Sequence, residues 1–255
     1  MPWDPAQYLK FAGHRLRPAL DLLNRIDLTA PAHVYDLGAG AGNVTRLLRA
    51  RWPAARITGV DDSGEMLAKA AAESPDISWQ QADLGTWRPS HAADLIYSNA
   101  ALHWLPDHAR LFPALFDALA PGGVLAVQIP RNFSAPSHTS ISEAARSGPW
   151  RAKLEPLLRP APVHEPDVYN GQLAAKAKSL DMWETEYVQA LEGKDPIKEW
   201  VKGTWLWPLL DALDGQERDD FEAAYARLVA RAYPPRADGR TLFPFRRLFM
   251  IAERA

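Results

Sequence analysis

The chain contains no cysteine, so no disulfide framework, thiolate nucleophile or cysteine-bearing metal site can be built from it. A surplus of either charge is also missing: 29 Lys and Arg against 31 Asp and Glu leave a formal charge of −2. No basic run or arm gives the electrostatic footprint of a nucleic-acid binder. Nor does any apolar run approach the roughly 20 residues needed to span a bilayer. The opening residues, MPWDPAQYLKFAGHRLRP, lack the apolar core of a secretion signal, so no membrane partner and a cytoplasmic location are the expectations. What remains is a chain of 255 residues, 47% hydrophobic, enough to bury one large core with appended helices.

Leu16, Ala19, Leu20, Leu23 and Ile26 recur at helical spacing and predict an amphipathic helix over residues 15–25. Short apolar runs then alternate with helical stretches. Strands are expected at 33–37 (HVYDL), 55–60 (ARITGV), 77–81, 93–98 (ADLIYS) and 124–129, the last behind a Pro121-Gly122-Gly123 turn. Helices are expected between them at 46–52, 66–72 and 111–119, and such alternation predicts a parallel sheet. After Pro130 the pattern stops: residues 132–165 are rich in Pro, Ser and Arg and read as an excursion from the sheet. A helix near 171–179, a strand at 182–189, helices near 196–204 and 216–232, and a closing strand at 241–252 follow. Trp200, Trp205 and Trp207 fall among the late helices, where they suit core packing or a pocket wall.

The segment Val34-Tyr35-Asp36-Leu37-Gly38-Ala39-Gly40-Ala41-Gly42-Asn43 runs from a strand through a glycine-rich turn into a helix, and bare backbone there lets a ligand approach. A dinucleotide fingerprint requires G-x-G-x-x-G/A, but Asn43 holds the third position and Asp36 would repel a pyrophosphate. Both departures favour a ligand carrying an ammonium and a ribose, for which Asp36 supplies negative charge. Asp61, with Asp62 directly after it, ends the second strand, where a carboxylate can accept both ribose hydroxyls. Asp83 ends the third and could accept from an adenine amino group while the Leu84 amide donates to the ring; its plainer role is a helix cap. Asp36, Asp61, Asp83 and Asn99 thus occupy four strand ends on the carboxyl edge of the sheet, where ligands of open α/β folds bind.

Together with WDPAQYLKFAGHRLRP (residues 3–18), RWPAARITGVDDSGEM, NAALHWLPDHARLFPALF, GGVLAVQIPRN and the terminal RRLFMIAER, the DLGAGAGNVT motif resembles the class I methyltransferases. Within them the chain is similar, over nearly its whole length, to the trans-aconitate methyltransferase family. The resemblance implies an α/β Rossmann-like fold: a mostly parallel seven-stranded sheet, helices on both faces and a helical lid insertion. It divides a single domain into cap helices over 1–30, a cofactor-binding core over 31–130, a partly helical substrate lid over 131–240 and a C-terminal strand over 241–255. The implied cofactor is S-adenosylmethionine, leaving as S-adenosylhomocysteine. By the same resemblance Gly38, Gly40 and Asn43 line its methionine side, Asp61 holds the ribose with Asp62 and Met66 beside it, and Asp83 and Leu84 hold the adenine. The Asn99 carbonyl takes its amino group, while Tyr8 and Arg15 close the site and Arg15 pairs with its carboxylate.

The chain departs from the family at Ala39 and Ala41, where Cys and Pro are frequent, and at His103, where Gln is. A carboxylate acceptor is already ionised at neutral pH, so methyl transfer from a sulfonium has no proton to remove. Positioning and exclusion of water carry the catalysis, with His103 and Trp104 as candidates rather than an obligate base. The implied acceptor is trans-aconitate, a small tricarboxylate esterified once. Arg131, Arg240, Arg246 and Arg247 could bind its carboxylates bidentately, and Gln128, Asn132 and Trp104 are further pocket candidates. Spacing alone reads only as a small-molecule methyltransferase. Esterification of another small acid or of a malonyl group on a carrier protein, a nicotinamide dehydrogenase, and a nucleoside-binding protein without catalysis stay open. No metal is expected.

Overall fold

The computed structural model describes residues 12–255. Helix α1 (Ala12–Arg25) leads into β1 (His33–Leu37), α2 (Asn43–Arg51), β2 (Arg56–Asp61), α3 (Gly64–Glu73), β3 (Ser78–Gln81), β4 (Ala93–Asn99), α4 (His108–Asp117) and β5 (Leu119–Pro130). Then come α5 (Pro136–Ser147), α6 (Arg151–Leu154), α7 (Pro166–Leu173), β6 (Ala177–Leu191), α8 (Pro196–Val201), α9 (Trp207–Asp211), α10 (Gly215–Ala232) and β7 (Thr241–Arg254). Among the described residues seven strands form one sheet in the order β3-β2-β1-β4-β5-β7-β6. The pairs from β3 through β5 are parallel, and β7 joins β5 antiparallel. The parallel strands are those that the alternation predicts, and with antiparallel β7 they make the mostly parallel Rossmann-like sheet that the resemblance implies.

The chain divides into two compact units. One comprises Leu16–Pro130, Pro162–Thr185 and Arg247–Ala255. Its central strands β1 and β4 are almost wholly buried, as parallel strands covered on both faces must be, which is why HVYDL and ADLIYS read as apolar runs. The edge strand β3, SWQQ, is largely exposed. Arg51 closes the carboxyl end of α1 by donating through Nη1 to the Leu23 carbonyl and through Nη2 to that of Ile26, both at 2.6 Å. Asp94 accepts from the Ala32 and His33 amides at 2.8 Å each and so marks where β1 begins.

The other unit contains Arg131–Ala161 and Glu186–Arg246. Its own core gathers Ile141, Ala144, Trp150, Trp200, Phe221 and Phe243. The buried Tyr225 hydroxyl donates to the Ser137 carbonyl at 2.7 Å, tying α10 to α5. Trp200 is core, and the Trp205 ring meets Phe133 at 4.9 Å and His138 at 6.1 Å.

Several elements differ from expectation. The excursion after Pro130 holds a real helix, α5, hidden in the sequence because its buried face is mostly small, with Ser137, Ser140, Ala144 and Ala145 around a single large apolar residue, Ile141. The helix expected near 171–179 lies earlier, at α7, with Pro166 in its first turn, and β6 begins at Ala177. Pro121-Gly122-Gly123 is not a turn before β5 but a bulge within it. The register passes from Ala93 opposite Leu119 to Leu95 opposite Val124, and Gly122 sits at φ +74. The helix expected at 196–204 continues past α8 through a π-helical turn at Lys202–Leu206 into α9. Among the described residues no helix is long and apolar enough to cross a membrane.

Candidate functional site

At the carboxyl edge of β1 the glycine loop takes left-handed backbone at Gly38 (φ +78), Gly40 (φ +53) and Gly42 (φ +80). A Cβ on Gly38 would lie 2.1 Å from the Ala101 Cβ, and one on Gly42 would lie 2.6 Å from Trp79 Cη2. Both glycines are therefore dictated by conformation and by space. The loop is tied to β2: the Gly38 and Ala39 amides donate to the Val60 carbonyl at 2.8 and 3.0 Å, and the Gly40 amide donates to Asp61 Oδ2 at 2.8 Å. Asp61 Oδ1 accepts from the Ser63 amide at 3.0 Å. Burial raises the Asp61 pKa, against the lowering by those two amides. A carboxylate offers about four acceptor positions, so two stay available to a hydroxylated ligand.

Asp36 is 2% exposed and accepts from Thr45 Oγ1 at 2.6 Å. Burial pushes its pKa up to about 7; the Thr45 bond works downwards and the charge on Asp61 works upwards with burial. Asp36 is thus a buried acid poised near neutrality rather than the exposed negative charge that its place in the motif suggests. The ring of Tyr97, opposite Asp36 in the register of β1 and β4, carries a hydroxyl that donates to the Ala19 carbonyl at 2.8 Å.

The remaining residues on this side fall around the loop. Asn43 opens α2, is exposed, and its Oδ1 accepts from Arg46 Nη2 at 2.8 Å. Asp62 is exposed, and Met66 lies near Gly40, whose added Cβ would stand 3.7 Å from Met66 Cε. Asp83 holds its own turn, accepting from the Gly85 amide at 2.9 Å; the capping role anticipated for it is realised in a turn rather than a helix. Leu84 is buried, 4.0 Å from the same Cβ position on Gly38. Asn99 ends β4 just before Ala100, itself at φ +56, and Asn99 Oδ1 is buried without a hydrogen-bond partner among the described residues. Tyr8 and the Arg15 side chain lie outside the described residues.

Candidates for the acceptor separate by unit. Gln128 and Arg247 are buried together, with Arg247 Nη1 donating to Gln128 Oε1 at 3.1 Å. His103 is buried and its ring centroid is 4.6 Å from that of Trp104, which is 40% exposed. In the second unit Asn132 is structural at both ends of its amide: Oδ1 accepts from the Arg246 amide at 3.2 Å and Nδ2 donates to Ser137 Oγ at 3.1 Å. Arg131 donates its backbone amide to the Arg246 carbonyl at 2.9 Å. The Arg246 guanidinium is half exposed and 3.9 Å from Glu186, and Arg240 donates to Glu192 at 3.0 Å on the surface. Arg240 and Arg246 thus carry the solvated acid pairs usual for surface arginines.

Three left-handed glycines without side chains, a half-buried carboxylate with open acceptor positions, and an amide oxygen orphaned among the described residues at the neighbouring strand end suit a nucleoside that bears hydroxyls and an ammonium. Residues 34–123 match the family model described as a methyltransferase domain. Over 252 residues the chain is 50% identical to the trans-aconitate 2-methyltransferase of Azoarcus sp. (strain BH72), covering 99% of each. It is 47% identical over 261 residues to that of Streptomyces avermitilis, covering 99% of this chain and 97% of the relative. The chain belongs to the trans-aconitate 2-methyltransferase family. Among solved structures its fold is similar to the YcgJ protein from Bacillus subtilis, at a TM-score of 0.61 and 15% identity over 93% of this chain and 98% of that one. It is also similar to the Haemonchus contortus phosphoethanolamine N-methyltransferase 2 in complex with S-adenosyl-L-methionine, at a TM-score of 0.53 and 16% identity, covering 93% and 52%. For this member of the trans-aconitate 2-methyltransferase family, sequence reasoning passed over Thr45, which holds Asp36, and Ser63, which accepts from the Met66 amide at 3.3 Å as the cap of α3. The serine was findable: Ser63 directly after two strand-end acids, before a helical run, is a cap signal.

Proposed function

We propose that the protein transfers the methyl group of S-adenosylmethionine to one carboxylate of trans-aconitate, forming the monomethyl ester and S-adenosylhomocysteine. The near-complete coverage of relatives bearing that name carries the reading, because it extends through both units and not the methyltransferase domain alone. The cofactor supplies an electrophilic methyl group on a sulfonium. In this reading the Gly38 and Gly40 backbone leaves room for its methionine portion, the free acceptor positions of Asp61 take the ribose hydroxyls, Leu84 flanks the adenine, and Asn99 accepts from the ammonium. Asp36 lies beneath the loop and reinforces the preference for a cation.

The acceptor carboxylate is an anion and the leaving group departs as a neutral thioether. The new O–CH3 bond therefore forms as the S–CH3 bond breaks with no proton to move, and a general base has no task. Opposite charges cancel along the reaction, which a buried, water-poor site does not penalise as it would a charge-creating step. What the chain contributes is alignment of the acceptor oxygen with the methyl group, a contribution on the order of 7–11 kcal/mol when orientation is good. The test is a panel of acids offered to the purified protein with labelled cofactor: trans-aconitate, cis-aconitate, citrate and isocitrate. Fastest transfer to trans-aconitate supports the reading, and equal rates or none contradict it.

A further inference from the structure

Asn99, Gln128 and Arg247 stand on one face of the sheet at its carboxyl edge. Asn99 is opposite Gln128 in the parallel pair of β4 and β5, and Pro130 is opposite Arg247 in the antiparallel pair of β5 and β7; strand alternation then puts all three side chains on the same side. Gln128 is fully buried and Arg247 is 4% exposed. Arg247 Nη1 donates to Gln128 Oε1 at 3.1 Å. A guanidinium has donors only, so this bond decides the orientation of the amide: its oxygen faces Arg247 and its NH2 faces away. The cation at the oxygen also polarises the amide and strengthens its N–H groups as donors. Yet among the described residues Gln128 Nε2 is buried with no acceptor, and on the neighbouring strand Asn99 Oδ1 is buried with no donor. Buried polar groups left unmet are costly, and the loss is recovered by a ligand that supplies the missing partner.

We propose that Gln128 Nε2, aimed and polarised by Arg247, is a receptor for a carboxylate of the acceptor. The inference rests on the carboxylate-acceptor reading above. The two orphaned atoms have opposite polarity, and that polarity sorts what binds. Asn99 Oδ1 repels a carboxylate and suits a donor such as an ammonium; Gln128 Nε2 suits a group that only accepts, which an ionised carboxylate is. Gln128 is then a binding residue and Arg247 a positioning residue acting through it.

The test separates acceptor from cofactor. Gln128→Met keeps the size and removes the donor, so the KM for trans-aconitate rises at least tenfold while the Kd of S-adenosylhomocysteine, by calorimetry, stays within twofold. Gln128→Glu keeps an oxygen for Arg247 but presents an anion; its KM rises at least as far at pH 8 and recovers as acid restores a proton for it to donate. Arg247→Lys loses the planar fork and raises KM with kcat largely kept. A KM unchanged in Gln128→Met, or a cofactor Kd that moves as far as KM, overturns the assignment. A wild-type enzyme inert toward trans-aconitate overturns the substrate reading and takes the assignment with it, whereas an active one with unchanged KM in the variant overturns the assignment alone. Should the variants not fold, a crystal of the wild type with S-adenosylhomocysteine and trans-aconitate decides: a carboxylate oxygen within hydrogen-bond distance of Gln128 Nε2 supports the proposal, and its placement elsewhere refutes it.

Discussion

Asp36→Asn should make the protein more stable, increasingly so as pH rises. The Asp36 carboxyl titrates at 3.8 in an unfolded chain, and burial lifts it to about 7 in the fold. Between those two values the folded state holds a proton that the unfolded state has lost, so folding stability falls with rising pH by about 1.4 kcal/mol per unit. Three units give a penalty of about 4 kcal/mol, complete above a pH of about 7 and absent below about 4. Asparagine never ionises and still offers an oxygen to Thr45, so the variant escapes the penalty. Urea unfolding should therefore find Asp36→Asn more stable than the wild type by about 4 kcal/mol at pH 8, by less than half of that at pH 5 and hardly at all at pH 3.5. The same substitution should weaken binding of S-adenosylhomocysteine several-fold, the exchange of stability for function expected of a strained site. A difference in stability that does not grow between pH 5 and pH 8 would refute the reasoning.

Gly38→Ala places a methyl where the Ala101 Cβ stands 2.1 Å away and imposes φ +78 on an L residue, so calorimetry should show cofactor binding lost and unfolding should show a cost above about 2 kcal/mol. Ser63→Ala removes the cap of α3 and should cost about 1 kcal/mol in denaturant unfolding, with cofactor affinity little changed because the backbone amide that bonds Asp61 remains. Tyr225→Phe leaves the Ser137 carbonyl without its buried donor and should cost about 1–3 kcal/mol, read by unfolding, with cofactor affinity unchanged.

Most of the parallel sheet was legible because buried central strands such as β1 and β4 announce themselves as apolar runs and the helices between them keep a regular spacing. Positions at the carboxyl edge were legible for a related reason: strand ends converge there, so Asp61 and Asn99 could be placed at the ends of β2 and β4 by counting strands. What escaped depends on partners distant in sequence. Nothing local marks Gln128 as bonded to Arg247, 119 positions away, or Asp36 as buried far enough to titrate near neutrality. Small residues hid α5, since one Ile141 among buried Ser and Ala leaves little hydrophobic period to detect. A bulge disguised three residues of β5 as a turn, because Pro-Gly-Gly carries the same signal in either setting.

The account depends on the carboxyl edge of β1 and β2 being the seat of a sulfonium nucleoside whose ribose Asp61 holds. Titrating S-adenosylhomocysteine into the wild type and into Asp61→Ala, with the fold of each checked by circular dichroism, addresses that directly. The predicted result is saturable binding to the wild type and at least a tenfold weaker Kd in the folded variant. Equal affinities, or a wild type that ignores the compound while binding NADH, would contradict it.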